Sequence, residues 1–282
     1  VQFIQRNQNQ PFFLYIPFYT VHVPIQPKEA YEVYFHQKQS SEAHHDAAYA
    51  AMIKSLDEGV GKIIKTLKDL NLEENTFVLF TSDNGAVWKT SKQWPLRAGK
   101  GSYYEGGIRV PMIVRWSGKV KTGSICDVPV NGIDFLPTLL DVVNQKRPKE
   151  KVLDGLSLMP LLTQKGTIQD RPLFWHFPIY LQAYVKEGPV ETRDPKFRTR
   201  PGSVVRFGNW KLHEYFEDNG LELYNLKDDI GEKRNLIDDY PEKAKELHDL
   251  LIQWREEIYA PVPSKTNPDF LYESYILKKR YL

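Results

Sequence analysis

Residues 76–111, TFVLFTSDNGAVWKTSKQWPLRAGKGSYYEGGIRVP, constrain this chain more than any other stretch. Residues 76–81 are β-branched and aromatic, the composition of a buried strand. Ser82-Asp83-Asn84-Gly85 ends that strand, because Asn-Gly favours a turn. Asp83 and Asn84 therefore stand just past a strand end, where open α/β sheets bind their ligands. A carboxylate beside an amide oxygen is half of a site for a hard divalent cation. The loop beyond carries Arg97 and Lys100, with Gly99 and Gly101 on either side of the lysine. A cation and that lysine would together hold an anion.

The flanking sequence has an α/β pattern. Residues 11–18, PFFLYIPF, read as a second buried strand. The turn-like YTVHVP after it puts His22 near a strand exit, as Asp83 is. Residues 42–70 read as a long amphipathic helix, with apolar side chains every three or four positions and Asn71 as its C-terminal cap. His44, His45 and Asp46 near its start resemble a metal cluster only superficially. Adjacent helical residues point in different directions, and an acidic residue at a helix N-terminus needs no metal. Residues 112–116 are predicted as a strand, and residues 134–143 as a helix that tolerates Pro137 in its first turn. This alternation predicts a mostly parallel sheet flanked by helices.

Beyond residue 165 the pattern changes. Residues 172–178, 203–207, 210–216 and 221–224 are short strand-like runs, closely spaced with Gly or Asn turns between the last three, as in an antiparallel sheet. Residues 180–201 read as a long loop rich in charge and proline. Residues 241–258 read as a helix with Pro241 in its first turn, and residues 260–282 show no clear period. The expected division is an α/β domain over residues 1–165 and a smaller antiparallel subdomain, with its helix and tail, over residues 166–282.

Composition excludes some partners. A formal net charge of +2 argues against nucleic acid, which needs a basic stripe. No apolar run approaches the roughly 20 residues of a membrane helix. The single cysteine, Cys126, rules out an internal disulfide. Val1 is not a methionine, and VQFIQRNQNQ has neither the apolar run nor the cleavage site of a signal peptide. The chain is expected to begin partway through a longer protein.

SDNG followed by PLRAGKGSYYEGGIRVPMIVRWSG resembles the second half of the sulfatase family, the type I formylglycine-dependent arylsulfatases with an alkaline-phosphatase-like fold. YTVHVPIQ, DAAYAAMIKSLDEGVGKII and NGIDFLPTLLDVV resemble the same family in the same order. The likeness is specific over residues 11–162. It is looser beyond, where LYNLKDD resembles the end of the family's C-terminal sheet. WHFPIY and RTRPGSVVRFGNWKL resemble members acting on sulfated polysaccharides.

The resemblance implies roles. Asp83 and Asn84 would be two ligands of a calcium ion, with magnesium as the alternative. Lys100 would contact the sulfate group. His22 would sit by the bridging oxygen and protonate the leaving alcohol. Glu105 and Arg109 would pair and brace the loop. His176 stands between a packed histidine and a substrate contact. Arg193, Lys196, Arg198 and Arg200 form a charge-rich loop, a solvated face by default with contact to an anionic sugar as the alternative, and Arg200 is taken as the substrate-binding candidate among them. The chemistry is coherent: cleaving a sulfate ester needs charge stabilisation at the equatorial oxygens and at the departing oxygen. A metal and a lysine supply the first, an imidazole the second.

The sequence also departs from the family. Its nucleophile, a formylglycine, is made from the Cys or Ser of a C/S-x-P-x-R motif, and none is present. Cys126 lies in CDVPV without that frame, and Gln93-Trp94-Pro95-Leu96-Arg97 has the frame but a glutamine that cannot become an aldehyde. The family's upstream Asp pair, lysine and histidine are missing too. The expected reading is the C-terminal portion of a sulfatase, inactive alone, whose partner is its own missing N-terminal portion and whose substrate is a sulfated carbohydrate. A periplasmic or extracellular location follows by resemblance. The alternatives are a non-catalytic carbohydrate-binding remnant and a phosphoester hydrolase of the same superfamily. The latter generally binds two metals with additional Asp and His ligands.

Overall fold

The structure is a computed structural model, and it describes residues 1–42, 44–183, 192–193 and 197–265. In chain order its elements are α1 (Gln2–Arg6), α2 (Glu29–His36), α3 (Ala47–Asp69), β1 (Val78–Thr81), α4 (Glu105–Ile108), β2 (Met112–Arg115), α5 (Phe135–Val142), α6 (Met159–Leu162), β3 (Leu173–Phe177), β4 (Leu181–Ala183), β5 (Phe197–Thr199), β6 (Gly202–Phe207), β7 (Trp210–Tyr215), β8 (Gly220–Asn225) and α7 (Pro241–Glu257). The chain forms two units. One holds Val1–Ser40, Asp46–Thr81 and Pro111–Gln169, the other Ser41–His45, Ser82–Val110 and Asp170–Leu282.

In the first unit, α3 begins at Ala47, later than the periodicity predicts. Asp46 stops it, because its carboxylate accepts the Tyr49 N–H at 2.8 Å and caps the helix. Asn71, just past its end, adopts φ 57°, the left-handed conformation of a helix terminator. Against α3 packs α2, where the Tyr31 hydroxyl donates to Glu58 at 2.6 Å. Asp134, fully buried, accepts the N–H groups of Asn131 and Leu156 at 2.9 Å each and so fixes the entry to α5.

One expectation is not shown among the described residues, and another is corrected. Strand β1 pairs antiparallel with β2, Val78 opposite Arg115 and Thr81 opposite Met112. All sheets among the described residues are antiparallel, and the mostly parallel sheet is not among them. Residues 11–18 form no strand, and Phe13 and Tyr15 are 74% and 76% exposed. A strand exists through hydrogen bonds to a neighbour, and no described strand pairs with this run. Its apolar composition alone leaves it extended and open.

In the second unit a four-stranded antiparallel sheet runs in the order β3-β6-β7-β8. Side chains alternate between its faces. Val205, Leu212 and Leu223 face α7, which answers with Ala244, Leu247 and Leu251 to form the apolar core. On that face Glu214 is reached by Arg255 and by His248 at 3.1 Å, both on α7. The opposite face is polar for a sheet interior: Arg206 on β6, Lys211, His213 and Tyr215 on β7, Glu222 and Tyr224 on β8. Residues 97–109 lie against it. Within residues 180–201, read as a loop, β4 and β5 pair antiparallel, Leu181 opposite Thr199 and Ala183 opposite Phe197. Lys196 lies outside the described residues.

Candidate active site

Backbone hydrogen bonds join the turn after β1 to the lysine loop. The Gly85 N–H donates to the Gly107 carbonyl at 3.0 Å, and the Lys100 N–H to the Ala86 carbonyl at 2.8 Å. The two segments approach so closely that a Cβ on Gly85 would fall 1.8 Å from the Gly106 oxygen, which leaves glycine as the only residue that fits. Gln93 adds a staple. Its amide oxygen accepts the Ala86 N–H at 3.1 Å, and its nitrogen donates to the Gly106 carbonyl at 2.7 Å. Asp83, Asn84 and Lys100 are thus carried on one backbone-bonded piece. The motif frame around Gln93 carries no nucleophile, yet its glutamine ties the site together.

Asp83 is exposed, and the Ser82 hydroxyl turns back to donate to the Asn84 carbonyl at 3.0 Å. The Asp83 carboxylate and the Asn84 amide oxygen are hard donors of the kind calcium and magnesium take, two of the roughly six to eight a calcium ion uses. Among the described residues no three His, Cys, Asp or Glu side chains gather as a metal site. Lys100 is half-buried and makes no ion pair among the described residues.

Buried charge fixes this piece on the polar face of the sheet. Glu232, fully buried, accepts the Glu105 N–H at 2.6 Å, Lys211 Nζ at 2.9 Å and His213 Nε2 at 3.2 Å. Its carbonyl accepts from Arg97 at 2.7 Å, and Arg97 lies 4.0 Å over the Tyr104 ring and donates to the Tyr224 hydroxyl. Lys211 also reaches Glu105 at 3.0 Å, and Arg109 stands 3.4 Å from that carboxylate, the pairing that the resemblance implies. Burial alone would raise the Glu232 carboxyl, but Lys211, His213 and the Glu105 N–H outweigh it and hold the group at about 2. Burial keeps the His213 imidazole below its ordinary value despite Glu232, so it is neutral, its Nε2–H donating to Glu232. Burial likewise raises the hydroxyls of Tyr104, Tyr215 and Tyr224.

Sequence reasoning assigned no role to Lys211, His213 or Glu232. Lys211 and His213 sit two apart on one strand, and that period-two polar signal marks a sheet face made for charged neighbours.

The remaining candidates are His22, His176 and Arg200. His22 belongs to the first unit and is exposed, its ring 5.3 Å from that of Tyr19. Its Nδ1 lies 3.0 Å from the Val23 carbonyl, so Nδ1 carries a proton and Nε2 is left for other partners. His176, on β3, has both ring nitrogens engaged: Nδ1 with the Ser203 hydroxyl at 2.7 Å, Nε2 with the Pro261 carbonyl at 2.9 Å. Burial lowers its pKa, and its ring packs on Trp254 and Phe216, which is the packed-histidine arrangement. Arg200 pairs with Glu217, and Arg193 with Asp218.

Two family models match this chain. The one described as Sulfatase covers residues 1–145, and the one described as N-sulphoglucosamine sulphohydrolase, C-terminal, covers residues 99–257. Among curated proteins, a sulfatase of Formosa agariphila is 36% identical over 271 residues, 89% of this chain and 46% of that protein. N-acetylgalactosamine-6-sulfatase of Rattus norvegicus is 33% identical over 177 residues, 61% of this chain and 32% of that protein. Among solved structures, Ps i-CgsB in complex with k-i-k-neocarrahexaose is similar with a TM-score of 0.75 and 26% identity, covering 99% of this chain and 57% of that one. The chain spans less than half the length of these two curated relatives.

Proposed function

The chain belongs to the sulfatase family, and on that premise we propose that it forms part of an enzyme that hydrolyses sulfate monoesters on a sulfated carbohydrate. One observation carries the reading: a hard-oxygen turn, Asp83-Asn84, and a lysine with no ion pair among the described residues, Lys100, ride on one hydrogen-bonded piece of backbone. Asp83 and Asn84 would supply two ligands to a calcium ion, or a magnesium ion in its place. Such a cation offsets negative charge on the sulfate oxygens. Lys100 offsets the same charge with its ammonium. His22, once it has taken up a proton at Nε2, would give that proton to the departing alcohol oxygen. The formylglycine nucleophile of such enzymes would come from outside these 282 residues, and the chain alone is expected to turn over no sulfate ester.

The N-terminal portion that completes such an enzyme is its proposed partner, and with it the mostly parallel, alkaline-phosphatase-like sheet. The proposed location is periplasmic or extracellular, and no helix of the described residues is long and apolar enough to cross a membrane. Of the other two substrate candidates, Arg200 would reach a sugar by leaving Glu217, and His176 by leaving Pro261.

The role of His22 has a specific test on the complete gene product. A sugar alcohol leaves poorly without a proton, whereas nitrophenolate leaves readily. His22→Ala should therefore lower kcat on a sugar sulfate by about a hundredfold or more, and on nitrophenyl sulfate by less than about tenfold. Equal losses on both would remove the proton-donor role.

A further inference from the structure

Arg198, on β5, is the arginine of the charged stretch that the structure sets against the lysine loop. Its aliphatic stem lies on the lysine loop. A Cβ built on Gly101 would stand 3.0 Å from Arg198 Cδ and 3.3 Å from its Cβ, and 2.6 Å from Leu181 Cδ2 on the paired strand. Gly101, at φ 89°, is the residue next to Lys100. The β4–β5 pair is therefore in packing contact with the segment that presents the lysine.

The arginines of this region differ in their partners. Arg193 is held by Asp218 and lies 4.4 Å over the Tyr215 ring. Arg200 is held by Glu217. Arg198 is half-buried and makes no ion pair among the described residues. Neither does Lys100, so two cations without a carboxylate partner among the described residues stand on segments that touch. A ligand with two negative groups would offer a countercharge to each. A guanidinium offers two parallel N–H donors that match a sulfate or carboxylate better than an ammonium does.

We propose that Arg198 binds a second anionic group of the substrate, a sulfate or carboxylate next to the ester held at Lys100, and so selects saccharides carrying more than one charge. The proposal rests on the sulfatase reading for what occupies Lys100. The cavity that Arg198 helps to line with Tyr103, Thr199 and Tyr215 is about 10 Å³, room for one water at most, so the sugar lies outside it.

The test compares a disulfated with a monosulfated disaccharide on the complete gene product. Arg198→Ala should raise KM for the disulfated sugar by about tenfold or more, as expected for a charge-assisted hydrogen bond, leaving kcat and the KM for the monosulfated sugar nearly unchanged. Arg198→Lys, which keeps the stem and the charge, should recover part of the loss. Equal effects on both sugars, or none on either, would overturn the proposal. Calorimetric titration of the same two sugars separates it from the sulfatase reading. If the wild type released no sulfate yet bound the disulfated sugar more tightly in an Arg198-dependent way, the anion site would stand and the sulfatase reading would fall. Equal affinities in wild type and Arg198→Ala would overturn the site itself.

Discussion

Replacing Lys100 with alanine should lower sulfate release by the complete gene product by about a hundredfold or more, the usual effect of removing one preorganised electrostatic donor. The size follows from what the lysine lacks. It makes no ion pair among the described residues, and its backbone is pinned by the bond to Ala86. No internal partner has to be given up when it turns to an anion, so its charge acts on the ligand at little reorganisation cost. The fold should hardly register the change, because removing a half-exposed side chain without a salt bridge leaves no orphaned charge. Circular dichroism and the thermal midpoint should match wild type while kcat/KM falls. A loss under about tenfold with the fold intact would contradict the assigned role. A similar loss of activity and of thermal midpoint would make Lys100 structural instead.

The opposite pattern is expected at Glu232. Its carboxylate neutralises Lys211, accepts from His213 and holds the Glu105 N–H, all in the sheet's buried polar face. Removing one member of such a group strands the others without water, and Glu232→Ala should cost about 3–5 kcal/mol of folding stability. Lys211→Met should cost a comparable amount. The double variant should cost less than the sum, because each change removes the other's stranded charge. Denaturant titrations of the four proteins give the cycle, and strict additivity would contradict a coupled network.

The same groups set an acid sensitivity. His213 is held neutral in the folded protein while the unfolded chain takes up a proton below its ordinary value of 6.5, so stability falls as pH drops through that region. Glu232, held at about 2 against an ordinary 4.5, contributes stability that is complete above 4.5 and lost as pH falls toward 2. Both act in one direction. The wild type should lose stability on acidification below about 6.5, and Glu232→Gln should flatten the lower part of that curve.

The local chemistry of the site was more legible in sequence than its support. Ser82-Asp83-Asn84-Gly85 announces itself because a β-branched run must stop at Asn-Gly, and Lys100 because glycines flank it. The antiparallel sheet of the second unit was legible too, since alternating short runs with Gly and Asn turns admit few other folds. What eluded sequence reasoning depends on partners distant along the chain. The run at residues 11–18 has a strand's composition, but composition carries no hydrogen bonds, and the run stays unpaired and exposed. Lys211 and His213 look like ordinary surface residues until Glu105 and Glu232, 106 and 19 residues away from them respectively, supply the countercharge. The pairing of Arg200 with Glu217, which leaves Arg198 beside Gly101, is equally invisible in one dimension.

The proposal most open to test is that this chain carries the cation-and-lysine half of a sulfate-ester hydrolase. Its most direct test is to purify the complete product of the gene encoding this chain and measure inorganic sulfate released from a sulfated oligosaccharide by ion chromatography, before and after chelation. Sulfate should appear, stop when the divalent cation is stripped, and return on adding calcium or magnesium. Sulfate release indifferent to chelation, or turnover of phosphate monoesters with sulfate esters untouched, would contradict the account.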